Sequence, residues 1–188
     1  METPGNQHLL RIHFINSVFT PAECLQIMQL EGHEENSRIS GEGLIETRIR
    51  NSYSTFIPPT HANQWIADRL IQQLEQVNAT YYQFRLHTLS PLQIIRYDVQ
   101  GFYDWHVDIG GVADLNTRKI SLVTFLSDPA DYEGGQLKII GGSEARAVPN
   151  QCQGTVVFFP SYLLHRVEPV RQGQRKTLVM WAHGPSFS

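Results

Sequence analysis

The second half of the chain is divided into short segments rich in β-branched and aromatic residues, and this pattern restricts the fold more than any other feature. From residue 90 onward, the segments are separated by short connections that contain Gly, Pro, Asp or Asn. Such segments are typical of antiparallel strands, and eight at close spacing predict a barrel or a two-sheet jelly roll. The predicted strands are residues 92–98, 102–108, 119–127, 135–140, 145–149, 154–160, 164–170 and 175–183.

The first 90 residues carry helical patterns instead. Thr20 and Glu23 have the spacing of a capping box, which predicts a helix that begins directly after Thr20. Residues 60–79 predict a second helix with Thr60 as its N-cap. Its apolar face is formed by Trp65, Ile66, Leu70 and Leu74.

These patterns predict an α+β fold with the helices packed outside one of the sheets. The length of 188 residues is suited to a single domain with a substantial core. Within it, we expect residues 1–90 to support a β-rich catalytic or binding half at residues 91–184.

Amino-acid composition bears on whether the protein binds nucleic acid or membranes and on the cellular compartment in which it is expected. The net charge of −3 gives no sign of a basic groove for nucleic acid. Cys24 and Cys152 form no metal-binding or redox motif, and we interpret them as free thiols in a reducing compartment. Because the sequence shows no membrane-spanning run and no signal-peptide pattern, we expect a cytoplasmic protein without a membrane partner. Its oligomeric state is not indicated.

The segment "FYDWHVD" contains a candidate for half of a metal site. His106 and Asp108 are two positions apart in a predicted strand, so their side chains project from the same face. His165, near the start of the seventh predicted strand, is the candidate third ligand. Two histidines and one carboxylate leave positions open on a non-haem Fe(II) ion, where a bidentate co-substrate and O₂ can bind. Each residue alone has an ordinary structural explanation, and only their joint placement favours a metal.

Arg175 opens the last predicted strand and is a candidate for binding a carboxylate. A buried guanidinium can make two charge-assisted hydrogen bonds to such a group, whereas an arginine considered alone is usually a solvated surface charge. Thr177 lies on the same face as Arg175, and Tyr97 lies on the first predicted strand. Either hydroxyl can add a hydrogen bond.

These residues carry a family resemblance over residues 92–183. The segment "QIIRYDVQGFYDWHVD" resembles the first core strands of the prolyl 4-hydroxylase branch of the Fe(II)/2-oxoglutarate-dependent dioxygenases. The segments "SLVTFLSDPADYEGGQLK" and "LHRVEPVRQGQRKTLVMW" are similar to its later elements. Upstream, "RIRNSYSTF" is similar to the Arg-x-Ser segment of prolyl 4-hydroxylases.

The resemblance implies a double-stranded β-helix, which is a jelly roll of about eight strands. It implies Fe(II) as the metal, with 2-oxoglutarate and O₂ as co-substrates. Two positions depart from the pattern: Arg175 stands where the procollagen enzymes usually have Lys, and Phe125 stands where many relatives have Tyr. The implied metal ligands are His106, Asp108 and His165, the co-substrate residues are Arg175, Tyr97 and Thr177, and the substrate residues are Arg50 and Trp181.

The implied reaction is hydroxylation of an unactivated C–H bond, coupled to decarboxylation of 2-oxoglutarate to succinate and CO₂. A prolyl or similar residue, in a peptide, a protein or a free amino acid, is the first expectation for the substrate. A different small biosynthetic intermediate is an alternative. A jelly-roll binding module without catalysis is a further alternative, although such a module would be expected to lose one of the site residues.

Overall fold

The computed structural model describes residues 6–37, 48–111, 113–141, 145–148 and 151–186. The described residues form two α-helices, α1 (Pro21–Met28) and α2 (Gln64–Val77). Their strands are β1 (His13–Ile15), β2 (His33–Asn36), β3 (Arg50–Asn51), β4 (Tyr53–Ile57), β5 (Thr88–Leu89), β6 (Leu92–Tyr97), β7 (Phe102–His106), β8 (Arg118–Phe125), β9 (Tyr132–Gly134), β10 (Leu137–Ile140), β11 (Ala145–Ala147), β12 (Val156–Pro160), β13 (His165–Val167), β14 (Val170–Gly173) and β15 (Arg175–His183).

Each of the eight predicted strands overlaps a strand of the structure. The main difference lies in residues 164–170, where one predicted strand is divided between β13 and β14. Strand β9, within the acidic turn before β10, was not predicted. It pairs with β14 as a separate two-stranded sheet.

Two larger antiparallel sheets form the body of the fold. The eight-stranded sheet has the order β1-β12-β8-β15-β6-β4-β2, and β5 pairs with β15 outside this path. The five-stranded sheet has the order β11-β10-β13-β7-β3. A buried apolar cluster joins their facing sides, with Phe125 and Phe159 from the large sheet and Leu137 and Ile139 from the small one. This two-sheet sandwich is the arrangement expected for a jelly roll.

Both helices cover the outer face of the large sheet, as predicted. Ile27 of α1 and Leu70 of α2 belong to one buried cluster with Leu122 and Leu178, which project from the outer side of β8 and β15. Among the described residues, no helix combines the length and apolar character needed to cross a bilayer.

The two predicted helix starts have different outcomes. In α1 the capping box is formed: Glu23 N donates to Thr20 Oγ1 at 3.3 Å, and Thr20 N donates to a Glu23 carboxylate oxygen at 2.8 Å. The prediction of Thr60 as the cap of α2 was wrong, because the helix begins after Asn63. The Asn63 side chain instead accepts from Thr60 N and donates to Pro58 O, which forms a turn before the helix.

Candidate metal centre and its cavity

The three predicted ligands converge between the two sheets. Strands β13 and β7 pair so that His165 stands opposite His106, and Asp108 follows β7 by two residues. Nε2 of His106 lies 3.8 Å from Asp108 Oδ1, and Nε2 of His165 lies 3.6 Å from Asp108 Oδ2. One ligand atom from each residue lies within 4.8 Å of the others. This group can therefore hold a metal ion with two histidines and one carboxylate.

Hydrogen bonds orient each of the three side chains. Nδ1 of His106 bonds to the carbonyl of Asp104 at 2.7 Å, and Nδ1 of His165 bonds to the carbonyl of Leu163 at 2.9 Å. A neutral imidazole whose Nδ1–H donates in this way presents the Nε2 lone pair to a metal. Ser121 Oγ donates to Asp108 Oδ2 at 2.6 Å and so fixes the carboxylate.

Burial and neighbouring charges favour the protonation states that a metal requires. Burial, followed by the proximity of His165, lowers the pKa of His106 to about 3. Burial alone would raise the pKa of Asp108, but His165, His106, Arg118 and the Ser121 hydrogen bond lower it to about 2. The site therefore presents a neutral imidazole and an ionised carboxylate near neutral pH.

A cavity of about 220 Å³ extends from the metal ligands between the sheets. Strand β15 lines it with every second residue, from Arg175 through Thr177 and Val179 to Trp181, as the alternation of a strand requires. All eight residues predicted for the site line this cavity, namely His106, Asp108, His165, Arg175, Tyr97, Thr177, Arg50 and Trp181.

Arg175 is a fully enclosed cation on the wall of this cavity. Its residue exposure is 1%, and its guanidinium lies over the rings of Tyr97 and Phe125 at 5.3 and 5.6 Å. Burial lowers its pKa, although Tyr97 and Tyr132 favour the charged form. Within the described part of the chain, none of the three guanidinium nitrogens makes a hydrogen bond of normal geometry. Because a buried charge without such bonds is costly, this donor group fits a carboxylate ligand.

Comparison with known proteins identifies the family. Residues 92–183 match the sequence profile of the 2OG-Fe(II) oxygenase superfamily. This region belongs to that superfamily. The match covers the predicted core strands, so the 2OG-Fe(II) oxygenase region begins with β6 and ends with β15.

The curated relatives that this chain matches include PKHD-type hydroxylases. One from Gloeothece citriformis is 35% identical over 124 residues, which are 65% of this chain and 54% of the relative. One from Aliarcobacter butzleri is 37% identical over 102 residues, which are 50% of this chain and 43% of the relative. The chain thus spans about half the length of the curated relatives that it matches.

Solved structures confirm the jelly-roll fold beyond the matched region. A Pseudomonas putida prolyl-4-hydroxylase aligns with a TM-score of 0.68 and 21% identity over 95% of this chain and 94% of the other. A Trichoplax adhaerens prolyl hydroxylase, solved with a hypoxia inducible factor peptide fragment, aligns with a TM-score of 0.77 and 16% identity over 95% and 84% of the chains.

The residues of the oxygenase region fit the group that the superfamily name implies. The ligand set has two nitrogen donors and one oxygen donor, which suits Fe(II), and the enclosed guanidinium suits a dicarboxylate such as 2-oxoglutarate. Phe125 supplies no hydroxyl at its position, but the buried hydroxyl groups of Tyr97 and Thr177 lie in the same cavity.

Several residues of the site were not predicted from the sequence. Ser121 was one of several hydroxyl residues in its strand, and only the structure shows its bond to Asp108. Tyr103 is three positions before His106, so strict alternation would place the two on opposite faces. A register shift where β7 pairs with β13 brings both to the cavity. The position of Tyr103 within the "FYDWHVD" segment was the only available signal.

Proposed function

We propose that this chain is an Fe(II)- and 2-oxoglutarate-dependent hydroxylase. His106, Asp108 and His165 would hold the Fe(II) ion. The observation that carries the proposal is the buried guanidinium of Arg175, which has no normal hydrogen bond to any described residue and lines the same cavity as the three ligands. A metal site alone does not require such a cation, whereas a co-substrate with a second carboxylate does.

The protein's own residues would bind and orient the reactants. Arg175 would hold the distal carboxylate of 2-oxoglutarate, with hydrogen bonds from Thr177 and Tyr97. Burial raises the pKa of Tyr97, which keeps its hydroxyl protonated and able to donate. When bound, Fe(II) would use O₂ to couple the decarboxylation of 2-oxoglutarate to the hydroxylation of a C–H bond. The largely buried cavity would keep water from the reacting atoms.

We propose a prolyl or similar amino-acid residue as the substrate, in a peptide, a protein or a free amino acid. The names of the two structural neighbours support a prolyl group, and the complex of the Trichoplax adhaerens protein supports a peptide. Arg50 and Trp181 line the cavity together with the metal ligands and would contact the substrate. Another small metabolite remains the alternative, and nucleic acid is not favoured by the net charge of −3.

The test is succinate formation from 2-oxoglutarate with Fe(II) and O₂, with and without free proline or short proline-containing peptides. We expect turnover in the wild-type protein, stimulation by one of these substrates, and loss of turnover in Asp108→Ala. Asp68→Ala, which changes an exposed carboxylate on α2, is the matched control. Equal turnover in wild type and Asp108→Ala would contradict the proposed metal site. No turnover and no Fe(II) binding in the wild type would favour the non-catalytic binding module.

A further inference from the structure

Three side chains form a stack beside the metal ligands. The ring of Tyr103 lies almost parallel to the imidazole of His106, with the centroids 3.4 Å apart and the planes at 14°. The guanidinium of Arg50 lies 4.4 Å from the centre of the Tyr103 ring. Because the imidazole occupies one face of that ring at contact distance, the guanidinium lies on the other. Tyr103 is thus held between a cation and a proposed metal ligand.

The outer layer of this stack is fixed by the backbone and by a buried hydroxyl. Arg50 and Tyr103 are directly opposed residues of β3 and β7, and side chains at opposed positions lie in contact. Nε of Arg50 also donates to Ser52 Oγ at 2.9 Å. Since Ser52 is buried, this bond fixes the guanidinium plane against the ring of Tyr103.

Besides Tyr103, the His106 ring is restrained by one hydrogen bond and by the tilted ring of His165, whose centroid lies 4.1 Å away. The bond from Nδ1 of His106 to the carbonyl of Asp104 fixes the direction of one ring atom. Small coupled changes in the two side-chain torsions can keep this bond while they tilt the ring, and such a tilt moves Nε2 relative to Asp108 and His165. A flat aromatic surface against the imidazole removes this freedom.

We infer that Arg50 is a positioning residue for the metal: by holding Tyr103 against His106, it fixes the tilt of the imidazole. This inference rests on the proposed Fe(II) site. It gives Arg50 a role before any substrate binds, in addition to the substrate contact proposed above. Groups that orient metal ligands typically change metal affinity by about 10- to 100-fold when they are removed.

Electrostatics and positioning predict opposite effects of removing the guanidinium. Arg50 carries a positive charge close enough to His106 to disfavour protonation of the imidazole. If charge repulsion were its main effect, Arg50→Met would bind a divalent cation more tightly than the wild type. If positioning dominates, Arg50→Met binds the cation more weakly. Arg50→Lys separates the two further, because it keeps the charge but loses the planar stacking group.

The chain contains a matched control for this stack. The guanidinium of Arg96 lies 4.3 Å from the ring centre of Tyr53, and these two residues are also directly opposed on neighbouring strands, β6 and β4. Arg96 is additionally paired with Glu34 and Asp98, and it lies outside the lining of the metal cavity. Arg96→Met therefore removes an equivalent stacked cation, together with two ion pairs, without touching the metal ligands.

The experiment measures the dissociation constant and visible absorption spectrum of Co(II), used in place of Fe(II), without 2-oxoglutarate. We expect about 10-fold weaker binding and an altered spectrum for both Arg50→Met and Arg50→Lys, and a wild-type affinity for Arg96→Met. If Arg50→Met binds Co(II) as tightly as the wild type or more tightly, the inference about Arg50 is wrong. It is also wrong if Arg96→Met loses as much Co(II) affinity as Arg50→Met. Neither result would contradict the metal site itself. A wild-type protein that binds no Co(II) would overturn the metal site as well. Normal Co(II) binding without substrate turnover would contradict only the proposed reaction.

Discussion

The hydroxyl of Ser121 lies 2.6 Å from Oδ2 of Asp108 and donates a hydrogen bond to it. The two residues belong to different elements, since Ser121 is on β8 and Asp108 follows β7. Ser121 Oγ is also 3.0 Å from Ser161 Oγ, and the carbonyl of Ser161 accepts from the Asp108 amide at 2.9 Å. The carboxylate is therefore fixed in position before a metal binds.

Replacement of Ser121 by Ala should weaken metal binding by about 10-fold, because the carboxylate loses the bond that selects its orientation. Co(II) titration of the two proteins measures this change. Ser127→Ala, which alters a buried hydroxyl two residues after the end of β8 and outside the cavity lining, should bind like the wild type. Equal affinities for Ser121→Ala and wild type would show that the Ser121 bond is not needed.

Gly135 should control the affinity for 2-oxoglutarate through its contact with Arg175. A Cβ at this position would lie 2.7 Å from Arg175 Cδ, and the backbone has a φ of +62°. Gly135→Ala should therefore displace the guanidinium and raise KM for 2-oxoglutarate, on the order of 10-fold or more. Gly111→Ala is the control, because no atom of the described residues lies within 4 Å of its added Cβ. If Gly135→Ala and Gly111→Ala have the same KM for 2-oxoglutarate, Gly135 does not control the position of Arg175.

Arg175→Met should stabilise the protein in the absence of ligand while removing its response to 2-oxoglutarate. Among the described residues, the buried guanidinium finds no partner for a normal hydrogen bond, and such a group costs about 1–3 kcal/mol of folding free energy. Urea unfolding should show a higher free energy of unfolding for the variant without 2-oxoglutarate. Added 2-oxoglutarate should stabilise only the wild type. A less stable Arg175→Met protein would mean that the guanidinium has stabilising contacts in the folded state.

The N-terminal segment should make stability depend on pH through His13. Its ring stacks on Tyr81 with centroids 3.7 Å apart, and burial, followed by the charges of His8 and Arg11, lowers its pKa below 6.5. The unfolded chain therefore binds a proton below about pH 6.5 that the folded protein resists, so stability falls as the pH drops through that value.

His13→Phe keeps a stacking ring but cannot titrate. The free energy of unfolding in urea, measured from about pH 7.5 to about pH 5.5, should decrease less for His13→Phe than for the wild type. The same decrease in both proteins would place the pH dependence at other groups. The comparison is made between slopes, so a uniform loss of packing in the variant does not alter the conclusion.

The alternation of side chains along a strand was sufficient to predict which site residues share a face. His106 and Asp108 could be placed on one face because they are two residues apart, and the same rule joined Arg175 to Thr177. Tyr132 was not identified, because its interaction with Arg175 depends on the pairing of β9 with β14, which places Tyr132 opposite Gly173, two residues before Arg175. Such pairing between distant segments leaves no local pattern in the sequence.

Two N-terminal strands, β2 and β3, likewise could not be predicted from the local sequence. Strand β2 has the sequence "HEEN" and β3 has only two residues, so neither contains the apolar alternation that predicts a strand. Both become strands by pairing with the edges of the core, β2 through β4 and β3 with β7. The start of α1, in contrast, was predictable because a capping box is complete within four residues.

Strand β15 fixes the distance between two residues that line the cavity, Arg175 and Trp181. Arg175 and Trp181 lie on the same face of this strand, six residues apart and therefore about 20 Å from each other along it. The strand is held between β6 and β8, so this distance cannot change without breaking both ladders. A molecule bound at Arg175 would therefore face a wall of fixed length along β15, and Trp181 lies at the other end of that wall.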